Sequence, residues 1–231
     1  MSYSILIPIY NEVSFLPKLV ESLNVFAKNH EIIIIDDGSN DGSKEILKKI
    51  RNMNVIYNDK NCGKGYSIQR GIKLAKNDSI LLMDGDLEVN TNDIPLLIKE
   101  FETLENSKKK AVVGIRWNNI WDLDLSKMMM GNFIINKFFN TIFNTRFRDI
   151  LCCYKILSKK NFIELDLYSY GFSIETEIMA KLVLSNYDVK EVYVEYEPRT
   201  ISQGKKLKVI NGINIFLMII KQKLLKVFNL I

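Results

Sequence analysis

The 231-residue chain has a single histidine, His30, and only three cysteines, Cys62, Cys152 and Cys153. So little imidazole argues against zinc hydrolases, Ser-His-Asp hydrolases and Cys-His proteases, which set histidine beside a metal or nucleophile. An odd number of cysteines without paired spacing supports neither a disulfide framework nor a four-ligand zinc site, and implies a reducing, cytosolic compartment. No basic segment precedes the first apolar run, which Pro8 interrupts. The start therefore reads as a β-strand rather than a signal peptide. The charge-free stretch 209–220 contains Asn211, Gly212 and Asn214 and is shorter than the roughly 18–20 residues of a membrane span. No bilayer-crossing segment is expected, and chemistry is left to carboxylates, cations and a hard metal.

What the chain does have is 47% hydrophobic and 26% charged residues, enough apolar side chain for a packed core and against disorder. The net charge of +5 is concentrated at the C-terminus, where Lys205, Lys206, Lys208, Lys221, Lys223 and Lys226 stand without an acid beyond residue 200. Such a pattern suits an anionic membrane surface or a phosphate better than a nucleic acid.

Short β-branched runs alternate with amphipathic stretches, the signature of an α/β fold with a mainly parallel sheet. Strands are predicted over 4–8, 31–35, 54–57, 79–83 and 111–115. Helices are predicted after the first strand, with Leu16, Leu19, Val20, Leu23 and Phe26 on one face, from Ser43 as a cap to about Ile50, and from the Gly63/Gly65 loop to Lys76. A Phe-rich helix around 133–147 carries Asn132, Asn136, Asn140 and Asn144 at a spacing of four, a narrow polar stripe. The pattern predicts one domain over 1–208, a nucleotide-binding half over 1–110 and an acceptor half over 111–208, followed by a basic and apolar helix over 209–231.

The sharpest local signal is Asp84-Gly85-Asp86 at the end of the fourth strand. Two carboxylates separated by a small residue can share a hard divalent cation, the glycine allowing close backbone approach to a ligand. The alternative is an acidic turn that ends a strand. Haloacid-dehalogenase-type phosphatases carry a similar triplet on the first strand, followed by Thr or Val where Glu88 stands here. The segment from Asp37 starts like an EF-hand loop but has Lys48 where the bidentate carboxylate is required. Gly63-Lys64-Gly65 lacks the spacing of a P-loop. Glu175 and Glu177 read as an exposed helix face, and His30 as a surface residue.

Taken in order, Ile7-Pro8-Ile9-Tyr10-Asn11-Glu12, Ile34-Ile35-Asp36-Asp37-Gly38-Ser39, Asn61-Cys62-Gly63-Lys64-Gly65 and Met83-Asp84-Gly85-Asp86-Leu87-Glu88 resemble the family-2 glycosyltransferases of GT-A fold. Val113–Arg116, Asp149–Lys155 and Arg199–Lys206 resemble later motifs of the dolichol-phosphate mannosyltransferase branch. The resemblance implies an α/β fold of GT-A type, with a Rossmann-like, mostly parallel central sheet flanked by helices. It implies that Pro8, Tyr10, Glu12, Ile35, Asp37 and Lys64 contact a GDP- or UDP-sugar donor, and that Asp84, Gly85, Asp86 and Glu88 meet its diphosphate and an Mg²⁺ or Mn²⁺ ion. Arg116, Arg199, Lys205 and Lys206 match basic positions that face phosphate. Asp86, Arg116 and Asp149 are the catalytic candidates. Glu88 replaces the Gln frequent in this branch, and Cys152-Cys153 replace a small Ser-Gly pair.

The implied reaction is metal-dependent, inverting transfer of a sugar. A phosphate acceptor is already an anion at neutral pH, because its second pKa lies near 6, whereas a sugar hydroxyl needs a base such as Asp149. The basic segment 199–208 leading into the apolar run 213–220 favours a polyprenyl phosphate at the cytosolic membrane face, with the last helix lying in the interface. Alternatively the helices pack on the core or a second subunit of a homo-oligomer. The alternative functions are transfer to a saccharide hydroxyl in glycan assembly and a catalytically silent nucleotide-binding module.

Overall fold

The structure, a computed structural model, describes residues 1–104, 107–117, 127–199 and 209–228. Its centre is a seven-stranded sheet in the order β3-β2-β1-β4-β6-β5-β7. The strands are β1 (Ser4–Ile9), β2 (Glu31–Asp36), β3 (Asn54–Tyr57), β4 (Ser79–Leu82), β5 (Lys110–Ile115), β6 (Lys155–Ser158) and β7 (Asp188–Tyr193). All neighbours pair in parallel except β6, which is antiparallel to both β4 and β5. The α/β expectation therefore holds.

The apolar runs are continuous because both faces of the sheet are covered. Along β1, Ile5, Ile7 and Ile9 enter one core cluster and Leu6 the other, and β2 divides Ile32 and Ile34 from Ile33 and Ile35 in the same way. The first face is covered by α1 (Leu16–Asn24), α2 (Ser43–Leu47) and α4 (Ile94–Thr103). The second is covered by α3 (Lys64–Leu74), α5 (Lys127–Phe143), α6 (Lys159–Glu164), α7 (Ile174–Leu184) and α8 (Val209–Val227). Each fully buried Ile or Leu contributes about 1.5–3 kcal/mol relative to exposure.

Several predicted boundaries move for local reasons. Ser43 does not cap α2; Gly42 occupies the cap at φ 100°, and the Ser43 hydroxyl accepts the Glu12 amide instead. The helix stops at Leu47, beyond which Lys49 and Ile50 donate to carbonyls three residues back. α3 ends at Leu74, where Ala75 turns extended and its side chain enters the core. α5 ends at Phe143, and Asn144 turns left-handed at φ 53°. β6 and β7 were not predicted: β6 is four residues long and begins with a lysine, and β7 is an edge strand of mixed polarity.

Candidate active site

β2 and β3 lie on one side of β1, and β4 on the other. The gap between the carboxyl ends of β1 and β4 is thus a topological switch point, where open α/β sheets bind ligands. The loop after β1 is fixed there by the loop after β2. Ser39 Oγ accepts the Asn11 amide, Asp41 accepts the Val13 and Ser43 amides, and Asn11 Oδ1 accepts the Asn40 amide. The acidic segment 36–42 is thereby a scaffold. It presents Glu12, buried, at the mouth of the gap.

Across the gap, Gly85 lets β4 close on β1. A Cβ there would stand 2.3 Å from Ile9 Cγ2, so the core itself requires the glycine. Asp84 and Asp86 flank it. Lys64 Nζ lies 2.7 Å from Asp84 Oδ1 and donates to Oδ2 at 3.0 Å. Arg199 donates to Asp86 (2.7 Å) and Glu12 (2.8 Å), and its amide donates to Glu88 (3.2 Å). Leu87, in the left-handed region at φ 57°, turns the chain so that the Glu88 amide reaches Asp86 Oδ1. The Val89–Tyr196 bridge and the Glu197-to-Glu88 hydrogen bond then bring Arg199 beside these acids. Burial acts to lower the Arg199 guanidinium pKa, but Asp86 and Glu12 outweigh it and hold the group above its ordinary value. Burial pushes the Asp84 carboxyl up against the pull of Lys64, with Asp86 and Glu175 adding to the rise.

Arg116, which follows β5, and Asp149 form a second, buried ion pair. The guanidinium donates to both Asp149 oxygens at 2.7 and 3.0 Å, and lies 4.9 Å from the Trp117 ring and 5.1 Å from that of Tyr196. The Arg116 and Leu151 amides also donate to Asp149, whose side chain is 1% exposed. Tyr196 hydroxyl in turn donates to Glu88, linking this pair to the Arg199 cluster. The Asn stripe on α5 positions Asp149. Asn136 and Asn140 donate to the Phe147 carbonyl, Asn140 accepts the Phe147 amide, and Asn136 accepts that of Ile150.

The remaining predicted residues divide. Pro8 and Ile35 are opposite each other in the β1–β2 ladder and buried, and Tyr10 is half-buried at the end of β1. Asp37 accepts Asn58 Nδ2 and the Cys62 and Gly63 amides, tying the glycine loop to β2. Lys205 and Lys206 lie outside the described residues.

Glu175 and Glu177 are corrected: they are 4% and 0% exposed, not on a solvent face. Glu177 accepts the Tyr168 and Ser169 amides and pairs with Lys181. Glu175 lies 2.7 Å from Lys64 and pairs with buried Lys155. Only the acid count of α7 signalled them in the sequence; their burial is a tertiary fact. Asp36 was also missed. Its Oδ1 accepts the Ser39 amide, while its buried Oδ2 has no hydrogen-bond partner among the described residues.

Among the described residues no three His, Cys, Asp or Glu side chains gather as a metal site. Magnesium is commonly held by one or two carboxylates plus substrate phosphate oxygens. Two hard carboxylates that already face cations suit that shared arrangement. No helix among the described residues is long and apolar enough to cross a membrane.

The family model described as Glycosyl transferase family 2 matches residues 4–165. An uncharacterised protein of Methanocaldococcus jannaschii is 28% identical over 221 residues, 89% of this chain and 93% of its own. Glycosyltransferase AglJ of Haloferax volcanii is 27% identical over 84% of this chain and 63% of its own. The dolichyl-phosphate beta-glucosyltransferase ALG5A of Trichomonas vaginalis is 32% identical over 50% of this chain and 40% of its own, so the match spans less than half of that relative. Among solved structures, glucosyl-3-phosphoglycerate synthase of Mycobacterium tuberculosis, in complex with Mn²⁺, UDP and phosphoglyceric acid, superposes with TM-score 0.69 at 12% identity over 96% of this chain and 78% of its own. The fold is GT-A.

Proposed function

Because the chain belongs to glycosyl transferase family 2, we propose that it moves a sugar from a nucleotide-sugar to a polyprenyl phosphate at a membrane surface, with inversion at the anomeric carbon. The observation that carries this reading is the Asp84/Asp86 pair at the switch point with Lys64 and Arg199 against it. These carboxylates would hold Mg²⁺ or Mn²⁺, which supplies neutralising charge for the departing nucleoside diphosphate. Lys64 and Arg199 add fixed positive charge where the leaving group gathers negative charge. Glu12 and Glu88 keep Arg199 aimed at the gap.

In the reaction an acceptor oxygen forms the new bond to the anomeric carbon while the bond to the diphosphate breaks, and the diphosphate leaves with the electron pair. Asp149 is fully engaged by Arg116 and two amides, which disfavours it as the base a sugar hydroxyl would require. A phosphate acceptor needs none. The apolar side of α8 supports a lipid carrier. Ile213, Leu217, Ile220, Leu224 and Phe228 are exposed along one face, while Ile215, Met218 and Ile219 are buried. One face thus packs on the core, as the alternative reading held, and the other is left for the interface, flanked by Lys221, Lys223 and Lys226. Related proteins include transferases named for dolichyl and undecaprenyl phosphate.

The test is turnover of GDP- and UDP-sugars with Mn²⁺ on a short polyprenyl phosphate and, separately, on oligosaccharides. Sugar transfer to the lipid phosphate, lost in Asp86→Asn, is the expected result. Transfer only to oligosaccharide hydroxyls would overturn the acceptor assignment.

A further inference from the structure

Behind Lys64 lies a buried ion pair, Lys155 with Glu175. Lys155, the first residue of β6, is 1% exposed, and its ammonium is held by the Cys152 carbonyl and Glu175. Glu175, in the first turn of α7, places Oε2 on Lys155 and Oε1 2.7 Å from Lys64 Nζ. The Lys64 contact is an ion pair without hydrogen-bond alignment, whereas Lys64 donates to Asp84. The Lys64 ammonium is therefore shared by two carboxylates, and the Glu175 carboxylate by two ammonium groups. Although burial acts to raise it, Lys155 and Lys64 together hold the Glu175 carboxyl below its ordinary range, so it stays charged.

Buried ion pairs are costly to desolvate and can be replaced by apolar side chains with little loss of stability. The arrangement here has a consequence that such a replacement would not supply. Without Glu175, Lys64 would pair with Asp84 alone and compete more strongly with any cation for that carboxylate. Without Lys155, the buried Glu175 charge would draw Lys64 away from Asp84. Loop 169–171 fixes where Lys64 starts: Cβ atoms at Gly63 and Gly65 would stand 2.3 Å from the Tyr170 carbonyl oxygen and 2.1 Å from that of Ser169, so the backbones are in direct contact.

We infer that Lys155 and Glu175 are positioning residues, a buried counter-pair that sets how tightly Lys64 holds Asp84 and hence how available Asp84 is to a divalent cation. The inference rests on the reading of Asp84 and Asp86 as the donor-side carboxylates.

Mn²⁺ binding to the full chain, followed by loss of the free-ion electron paramagnetic resonance signal with and without UDP, tests it. The double variant K155M/E175Q removes one charge of each sign and should melt close to wild type, yet bind Mn²⁺ on the order of tenfold more weakly. Adding Lys64→Met to that background should restore binding, while Lys64→Met alone should change it much less. A pair that only fills space predicts wild-type Mn²⁺ affinity in the double variant and the same effect of Lys64→Met in both backgrounds, and that result overturns the inference. If the double variant does not fold, Glu175→Asp, which withdraws the carboxylate from Lys64 but keeps a charge near Lys155, carries the same comparison and the same two outcomes. Absence of Mn²⁺ binding in the wild type, with or without UDP, would instead refute the donor-site reading.

Discussion

Aspartates in similar motifs do different work in this chain. Asp37 is enclosed by Asn58 and the Cys62 and Gly63 amides and fastens a loop, whereas Asp84 and Asp86 face side-chain cations across the gap. The second pair was legible in the sequence because two acids around a glycine at a strand end are a local pattern. Glu175 was not, since what distinguishes it from a solvated helix acid is the arrival of Lys64 from α3 and Lys155 from β6, both distant in the chain. Its charge has a thermodynamic signature. The folded-state pKa is depressed below an unfolded value of about 4.3. The stability Glu175 contributes is therefore fully present above that value and is lost as pH falls through the folded pKa. Melting curves of the donor-free protein from about pH 6 to about pH 3 should show a steeper acid loss in wild type than in Glu175→Gln. Equal slopes would mean that Glu175 is not held as a charged group.

Elements explain what single residues leave open. The spacing of Asn132, Asn136, Asn140 and Asn144 was readable as a stripe on a helix, but its purpose was not, because the groups it satisfies belong to the irregular segment 145–150. Asn140 alone accepts the Thr145 hydroxyl and the Phe147 amide and donates to the Phe147 carbonyl. Asn140→Ala should cost about 1–3 kcal/mol in denaturant unfolding, since it leaves the part-buried Phe147 amide without its partner, whereas the Phe147 carbonyl keeps Asn136. It should also loosen the Arg116–Asp149 pair. A variant as stable as wild type would show that segment 145–150 is held by other contacts. β6 escaped the sequence reading for a related reason. It begins with Lys155, a charge that pattern alone assigns to a surface, and its burial is made tolerable by Glu175 together with the Cys152 carbonyl.

At the scale of the whole molecule, the reversal of strand order between β1 and β4 sets the site. The alternation of apolar runs and helices made this half of the fold legible, while insertion of the antiparallel β6 between β4 and β5 depends on long-range pairing that no local pattern encodes. The exposed face of α8 is likewise a property of the assembled chain, because its apolar residues are divided between core and surface only by packing on α5 and α7. Leu217→Glu with Leu224→Glu should leave the melting temperature nearly unchanged and weaken sedimentation with anionic vesicles. Unaltered vesicle binding would remove α8 from the interface. The most direct measurement of the account as a whole is anomalous diffraction from crystals grown with Mn²⁺ and a nucleoside diphosphate. The expected result is a manganese peak between the Asp84/Asp86 carboxylates and the diphosphate, with Arg199 no longer bonded to Asp86. A nucleotide bound elsewhere, or a manganese peak remote from β4, would contradict it.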